Sequence, residues 1–467
     1  MDLPPALLQS LQNVKGFNQE AFIQVHQSGQ QITSIRLNPE KLKIQNLKFK
    51  TEGHVLWSSL GYYLPSRPSF TLDPLFHAGA YYVQEASSMF LEEVIKQKVD
   101  LSKPLKILDL CAAPGGKSTL IQSIISKESL LVSNEVIKTR VNILSENITK
   151  WGAANVIVTN NDPKDFEKLK NYFDVIVVDA PCSGSGLFRK DPNAIGEWSQ
   201  ANVALCAQRQ QRILADILPS LKAGGCLFYS TCSFSPQEDE DVLDWLIHEF
   251  YTDDKIATME SLRFMLEDDW GIVETVSDKT NAYGYRFYPG KVKGEGFFIA
   301  GFKKADVEDG GSQTAHRNKK IKKTFEKLSN TQILIVQPYL LHANDFFFIK
   351  QNEDVLAIPM QLEKELETLQ HILYIKKAGI KLGTIIRNEL VPAHELAVSN
   401  IINTNVNRCE VDLENALQYL RKQELKIECP YNGWVILTYK NLPLGWIKVI
   451  GNRINNYYPS AWRILNK

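Results

Sequence analysis

The chain is predicted to be an α/β protein built on a parallel, doubly wound sheet, with smaller units at both ends. Three observations predict this. From about residue 86 the apolar pattern alternates between short β-type runs and longer helical stretches, the order that βαβ crossovers produce. A glycine-rich turn, Asp109-Leu110-Cys111-Ala112-Ala113-Pro114-Gly115-Gly116-Lys117-Ser118, joins the first of these runs to a helix. Acidic residues Asp109, Glu135, Asp162 and Asp179 end four successive runs, at the edge where open α/β sheets bind their ligands.

In chain order, a helix is predicted over 17–28 from the spacing of Phe17, Ala21, Phe22 and Val25, and a strand over 32–37, stopped by Asn38-Pro39. Residues 1–85 form a small α+β amino-terminal domain. The next domain, 86–303, begins with a helix over 86–97 and a strand over 105–110. After the glycine turn come helix 117–126, strand 130–133, helix 137–150, strand 156–159, a helical segment over 163–170 and strand 175–178. Helix 199–218, strand 226–229 and helix 238–250 follow. The last starts with Glu238-Asp239-Glu240-Asp241, acids that suit a helix amino end. Strands over 285–288 and 296–302 close the sheet as an antiparallel pair. Residues 304–325 read as a linker, rich in Gly and acids and then carrying Lys319-Lys320-Ile321-Lys322-Lys323, a solvated charge run. The remaining 326–467 reads as a separate small domain or two, with short strands over 345–350, 434–439 and 446–450.

Composition narrows the function. The 467 residues are 44% hydrophobic and 23% charged, the values of an ordinary globular protein. Net charge is zero, so no global field draws in nucleic acid, and any basic surface is local. The seven cysteines are scattered and none forms a Cys-x-x-Cys pair, so neither a disulfide framework nor structural zinc is expected. Met1-Asp2-Leu3-Pro4-Pro5 has no signal-peptide pattern, and no apolar stretch approaches the roughly 18 residues that span a bilayer. A cytoplasmic protein with reduced thiols and no membrane partner is expected.

The glycine turn nearly matches a phosphate-binding P-loop, but Cys111 stands where that loop needs glycine, and Asp109 would repel a triphosphate. An acid there suits a cationic ligand such as S-adenosylmethionine. The turn from Asp109 through Cys111, Ala112, Ala113, Pro114, Gly115, Gly116 and Lys117 would then cradle it. Glu135, about 20 residues on, would accept the ribose hydroxyls, and Asp162 would reach the adenine amino group. Cys182 and Cys232 sit at the polar exits of two apolar runs, which points to sulfur acting as a nucleophile. Spacing leaves open which thiol attacks. Cys111, Cys206, Cys226, Cys409 and Cys429 read as packing residues.

The glycine turn, Asp179-Ala180-Pro181-Cys182-Ser183-Gly184 and Ser230-Thr231-Cys232-Ser233 closely resemble the Nol/Nop/Sun family of RNA (cytosine-5)-methyltransferases. Gly79–Ser88, Arg189–Pro192 and Gly294–Phe298 resemble further segments of it, so the likeness spans about 20–303. Leu442-Pro443-Leu444-Gly445-Trp446-Ile447-Lys448, with Gly451, Asn456, Tyr458 and Pro459, resembles the PUA-like end, over about 385–467, of its RsmF branch, which modifies bacterial 16S ribosomal RNA. The resemblance implies a Rossmann-like class I methyltransferase using S-adenosylmethionine. It makes Cys232 the nucleophile and Cys182 the assistant of release. Asp179 would bind the cytosine edge, and Lys117 would orient Asp179 or tune a thiol.

The implied partner is ribosomal RNA or the small subunit, met by a monomer, with no DNA. Arg36, Lys43, Lys448, Arg453 and Arg463 are candidate RNA contacts, with Tyr457 and Tyr458 as stacking residues. A transfer-RNA methyltransferase of the same chemistry, or an RNA-binding assembly factor in which methylation is secondary, are the competing readings.

Overall fold

The computed structural model describes residues 2–44, 47, 49–249, 259–305 and 325–465. Helices α1 (Pro5–Leu11) and α2 (Gln19–Gln27) lead into an antiparallel sheet of β1 (Thr33–Leu37), β2 (Gly61–Leu64) and β3 (Tyr81–Val83), with β1 in the middle and the short helix α3 (Pro74–His77) before β3. Asn18 caps α2 by accepting the Ala21 N–H at 2.9 Å, which fixes where that helix starts.

The central unit runs α4 (Phe90–Lys98), β4 (Lys106–Asp109), α5 (Gly116–Ile124), β5 (Leu130–Asn134), α6 (Lys138–Trp151), β6 (Val156–Thr159) and β7 (Phe173–Asp179). It continues through α7 (Ala194–Glu197), α8 (Gln200–Ile217), β8 (Leu221–Thr231) and α9 (Glu240–Glu249), then β9 (Met259–Leu262), β10 (Val273–Val276), β11 (Tyr283–Phe287) and β12 (Phe297–Lys304). Strands β8, β7, β4, β5 and β6 are parallel neighbours in that order. Their side chains alternate between two cores. Leu108, Val132 and Ile176 face the core shared with α8 and α9, while Ile107, Leu131 and Val175 face the one shared with α4, α5 and α6. Burial on both faces is why these strands read as unbroken apolar runs.

The antiparallel part of the sheet is larger than the pair predicted. β9, β10, β11 and β12 all belong to it, with β12 pairing β8, β9 and β11. The segment 163–170 forms a 3-10 helix, Pro163–Lys168, started by Pro163 and capped by Asp162. The acidic run at 238 is corrected too: α9 begins at Glu240, and Glu238 and Asp239 are fully buried before it.

Beyond the chain that the sequence reads as a linker, of which 306–324 lie outside the described residues, come β13 (Glu326–Lys327), α10 (Asn330–Val336), β14 (Phe346–Gln351), β15 (Asp354–Pro359), α11 (Glu363–Gln370), β16 (Ile375–Ala378), β17 (Ile380–Ile386), β18 (Glu389–Pro392) and α12 (His394–Val398). The last sheet is β19 (Arg408–Glu410), β20 (Gly433–Tyr439), β21 (Leu442–Ile450) and β22 (Arg453–Asn456), with α13 (Leu413–Leu420) packed on it. This region does not stand apart as the sequence suggests. β16 pairs antiparallel with β6 and extends the central sheet, while Leu362, Leu366 and Leu369 join one of its cores. The two ends of the chain also share a core, in which Ile35, Leu37 and Leu75 pack with Tyr419, Leu437 and Tyr458.

Candidate active site

Sheet order explains why four acids far apart in sequence lie side by side. The parallel neighbours β7, β4, β5 and β6 lead into Asp179, Asp109, Glu135 and Asp162 in turn, along one carboxyl edge. Adjacent strands are about 4.8 Å apart, so the row extends for roughly 14 Å. Asp109 is fully buried. Its Oδ2 accepts the Ser118 hydroxyl at 2.6 Å, while its Oδ1 is buried with no protein partner. Burial pushes the Asp109 carboxyl up to about 7; the Ser118 hydrogen bond opposes this, and the nearby Asp179 charge adds to it. An orphaned acceptor on a buried acid invites a positively charged ligand.

The glycine turn is held open around that acid. Gly115 takes φ +113°, a left-handed backbone that suits glycine. Arg140 donates to the Ala113 carbonyl at 2.6 Å and Asn147 to that of Pro114 at 2.8 Å, so α6 pins the turn from outside. Glu135, 3% exposed, accepts the Ile137 N–H at 2.9 Å and lies 3.5 Å from Arg140. Asp162 is exposed and uses Oδ1 to cap the 3-10 helix at 3.1 Å. Cys111 has its thiol pushed up by burial and by the surrounding acids.

The register of β7 and β8 brings the two cysteines together. Asp179 sits opposite Ser230, so the exits of both strands converge. The Cys182 and Cys232 sulfurs are 2.8 Å apart. Hydrogen bonding to Cys232, then burial, raises the Cys182 thiol well above its ordinary value. Gly186 donates its N–H to the Cys232 carbonyl at 2.8 Å, and a Cβ there would lie 2.7 Å from that oxygen. Beside the sulfurs, Lys117 Nζ pairs with Asp179 at 2.8 Å, and the Ser230 hydroxyl donates to the other Asp179 oxygen at 2.8 Å. Burial disfavours the Lys117 charge, but Asp179, with help from Asp109 and Cys232, more than restores it, and its pKa is raised.

Two predicted RNA contacts are corrected. Arg36 is fully buried: it donates to Gln84 at 2.7 Å, Thr119 at 2.7 Å and Ser123 at 3.0 Å, and stacks 4.7 Å from the Trp151 ring. Tyr458 is 1% exposed, packed against Tyr419 and His394. Lys43, Arg453, Arg463 and Tyr457 are exposed, and Lys448 lies 5.0 Å over the Trp434 ring. Sequence reasoning gave no role to Ser118 and Ser230, which hold Asp109 and Asp179. Ser118 ends the glycine turn and Ser230 opens the Cys232 segment, and only hydrogen-bond geometry separates them from ordinary helix and strand positions.

A glycine turn after the first parallel strand, acids along the carboxyl edge and a buried carboxylate oxygen without a protein partner define a Rossmann-like methyltransferase. Residues 97–303 match the family model described as 16S rRNA methyltransferase RsmB/F. Residues 3–86 match the N-terminal domain of 16S rRNA methyltransferase RsmF, and 406–464 its PUA domain. The ribosomal RNA small subunit methyltransferase F of Shewanella woodyi is 31% identical over 452 residues, which cover 91% of this chain and 89% of that protein. Its namesake in Vibrio vulnificus is 29% identical over 480 residues, covering 98% and 97%.

Among solved structures, a methyltransferase homolog protein from Pyrococcus horikoshii gives a TM-score of 0.51 at 26% identity, over 65% of this chain and 100% of its own. NSun6 from the same organism, solved with SFG, gives 0.53 at 20% identity, over 65% and 99%, and so supports the fold. The chain belongs to the RsmB/F family of 16S rRNA methyltransferases, enzymes that depend on S-adenosylmethionine. Among the described residues no helix is long and apolar enough to cross a membrane.

Proposed function

We propose that this enzyme methylates carbon 5 of a cytosine in 16S ribosomal RNA, acting as a cytoplasmic monomer. The observation that carries this reading is the pair of sulfurs 2.8 Å apart beside the Lys117–Asp179 ion pair, on the edge that also carries Asp109. Carbon 5 of cytosine is a weak nucleophile until a thiolate adds to carbon 6, which splits one hard step into easier ones. Cys232 makes that S–C6 bond. Asp179, held by Lys117 and Ser230, accepts a hydrogen bond from the amino edge of the base. S-adenosylmethionine, when bound, supplies the electrophilic methyl group. Its holders are Asp109, the turn from Cys111 to Lys117, Glu135 and Asp162, with Asp179 at the reacting end. Cys182 then takes the proton from carbon 5, and elimination frees Cys232.

The target base must be unpaired or flipped out to reach two sulfurs recessed at a sheet edge. The amino-terminal unit and the PUA-like end supply RNA contacts through Lys43, Lys448, Arg453, Arg463 and Tyr457. Two variants test the roles. Cys232→Ala is expected to lose methylation and any covalent complex with RNA. Cys182→Ala is expected to accumulate a protein–RNA adduct that survives denaturing electrophoresis. A Cys232→Ala protein that still methylates would overturn the reading. Mapping 5-methylcytosine in total RNA from cells with and without the protein identifies the target.

A further inference from the structure

The run Pro236–Glu238 forms a single 3-10 turn just beyond Cys232, and it buries a carboxylate behind the two sulfurs. Glu238 Oε1 accepts the Ser183 N–H at 2.8 Å and the Gln210 side chain at 3.2 Å. Its Oε2 accepts the hydroxyls of Ser183 at 2.5 Å and Ser233 at 2.6 Å. Ser183 and Ser233 are the residues immediately after Cys182 and Cys232. One side chain therefore ties both cysteine loops together from below. Gln210 strengthens the tie by also donating to the Pro181 carbonyl at 3.0 Å.

Among the described residues no lysine, arginine or histidine makes an ion pair with Glu238. Four neutral donors therefore satisfy this buried carboxylate without a cation beside it. Glu238 also contributes to the raised Cys182 thiol, after the Cys232 hydrogen bond, burial and the Cys232 charge. The charges of Lys117 and Cys232 favour one another. The remaining titratable groups around the pair are Asp179 at the end of β7, Cys206 on α8, and Tyr229 and Asp239 beneath.

We propose that Glu238 is a positioning residue for the methyl-transfer reaction: it fixes the two cysteine loops against each other and polarises the sulfur pair, with the proton on Cys182 and the thiolate on Cys232. This rests on the cysteine roles given above. Once Cys232 has committed its electron pair to the S–C6 bond, two of the causes that hold the proton on Cys182, its hydrogen bond to Cys232 and the Cys232 charge, are gone. The proton then passes to the ring nitrogen, which becomes basic as the adduct forms. The Cys182 thiolate left behind takes the carbon 5 proton, and Glu238 keeps it basic enough to do so. On elimination the ring nitrogen loses its proton to solvent, and the pair returns to one thiol and one thiolate.

The test is Glu238→Gln in the full chain, which keeps the side-chain shape and removes the charge. The expected kcat falls by about tenfold or more, the scale of a misplaced proton-transfer group, while RNA KM and S-adenosylmethionine affinity stay within about twofold. In a Cys232→Ala background, the pH midpoint for alkylation of Cys182 by iodoacetamide moves down by about half a unit or more. A folded Gln variant with parental kcat or a parental Cys182 midpoint overturns the proposal. Where the Gln variant does not fold, Glu238→Asp draws the carboxylate back by one methylene and carries the same readouts: a lower kcat with a lower midpoint supports the role, and a parental value of either overturns it. An active Cys232→Ala enzyme would instead remove the reading of the pair itself; an inactive one beside a parental Glu238→Gln removes only the role of Glu238.

Discussion

Asp109 is expected to couple cofactor binding to pH. Burial pushes its carboxyl up to about 7, and a cationic methyl donor is expected to bind the ionised form. Donor affinity is therefore expected to rise as pH increases through 7 and to fall by up to about tenfold per unit well below it, with proton release on binding. Calorimetry in two buffers of different ionisation heat measures that release. The effect on stability has the opposite sign. Asp109 binds its proton more tightly folded than unfolded, so ionisation weakens the ligand-free protein as pH rises from about 4, the unfolded value, to about 7. Asp109→Asn is then expected to melt a few degrees higher than the parent at pH 8 without ligand, to lose that advantage near pH 4, and to bind the donor poorly. Equal melting temperatures at pH 8 would show that the ionisation penalty is small. The acids and both cysteines were legible in the sequence because they end apolar runs. Glu238 was not: it reads as helix amino-end charge, and only the turn at Pro236 tips it inward. Arg36 and Tyr458 read as surface residues because their types usually are, and burial depends on neighbours far away in the chain.

At the level of elements, α5 is held from two sides. α6 pins the turn before it, and Arg36 from β1 grips Thr119 and Ser123 along its length. Arg36→Met would leave Gln84, Thr119 and Ser123 without that partner. Thr119 and Ser123 keep their hydroxyl bonds to the α5 backbone, so Gln84 Oε1 is the acceptor left unsatisfied, and the loss of stability is expected to be about 1–3 kcal/mol. Donor affinity is expected to fall along with it, while the salt dependence of RNA binding stays unchanged. Denaturant melts and a salt series check the two halves. An altered salt slope would return Arg36 to the RNA surface. The parallel strands and their helices were legible because two-sided burial makes them uniformly apolar. β9 and β10 were not, since Met259-Glu260-Ser261-Leu262 and Val273-Glu274-Thr275-Val276 carry as many polar as apolar residues at a sheet margin. β16 was hidden for another reason: Ile375-Lys376-Lys377-Ala378 gives no local sign that its partner is β6, more than 200 residues earlier.

At the scale of the molecule, Lys41 locks three regions together. Its ammonium donates to the carbonyls of Ala78 at 2.9 Å, Lys150 at 2.6 Å and Val398 at 2.6 Å. The last two lie at the carboxyl ends of α6 and α12, where a cation is favoured by the helix dipole. Three donors meet three acceptors, one each from the amino-terminal unit, the central unit and the carboxyl-terminal region. Lys41→Met is expected to cost a few kcal/mol and to open cleavage sites between the units in limited proteolysis, while donor binding survives in the folded fraction. Unchanged proteolysis would show that the shared cores hold the units without it. The pairing of β16 with β6 also sets a time. As the chain emerges from the ribosome, β6 is complete roughly 220 residues before its outer neighbour, which at about 5–20 residues per second is some 10–40 seconds. Throughout that interval the nascent sheet has an open margin next to Asn160-Asn161-Asp162, and only Tyr374 and the strand after it close it. The edge that carries the four acids is therefore finished by a part of the chain made well after the acids and both cysteines.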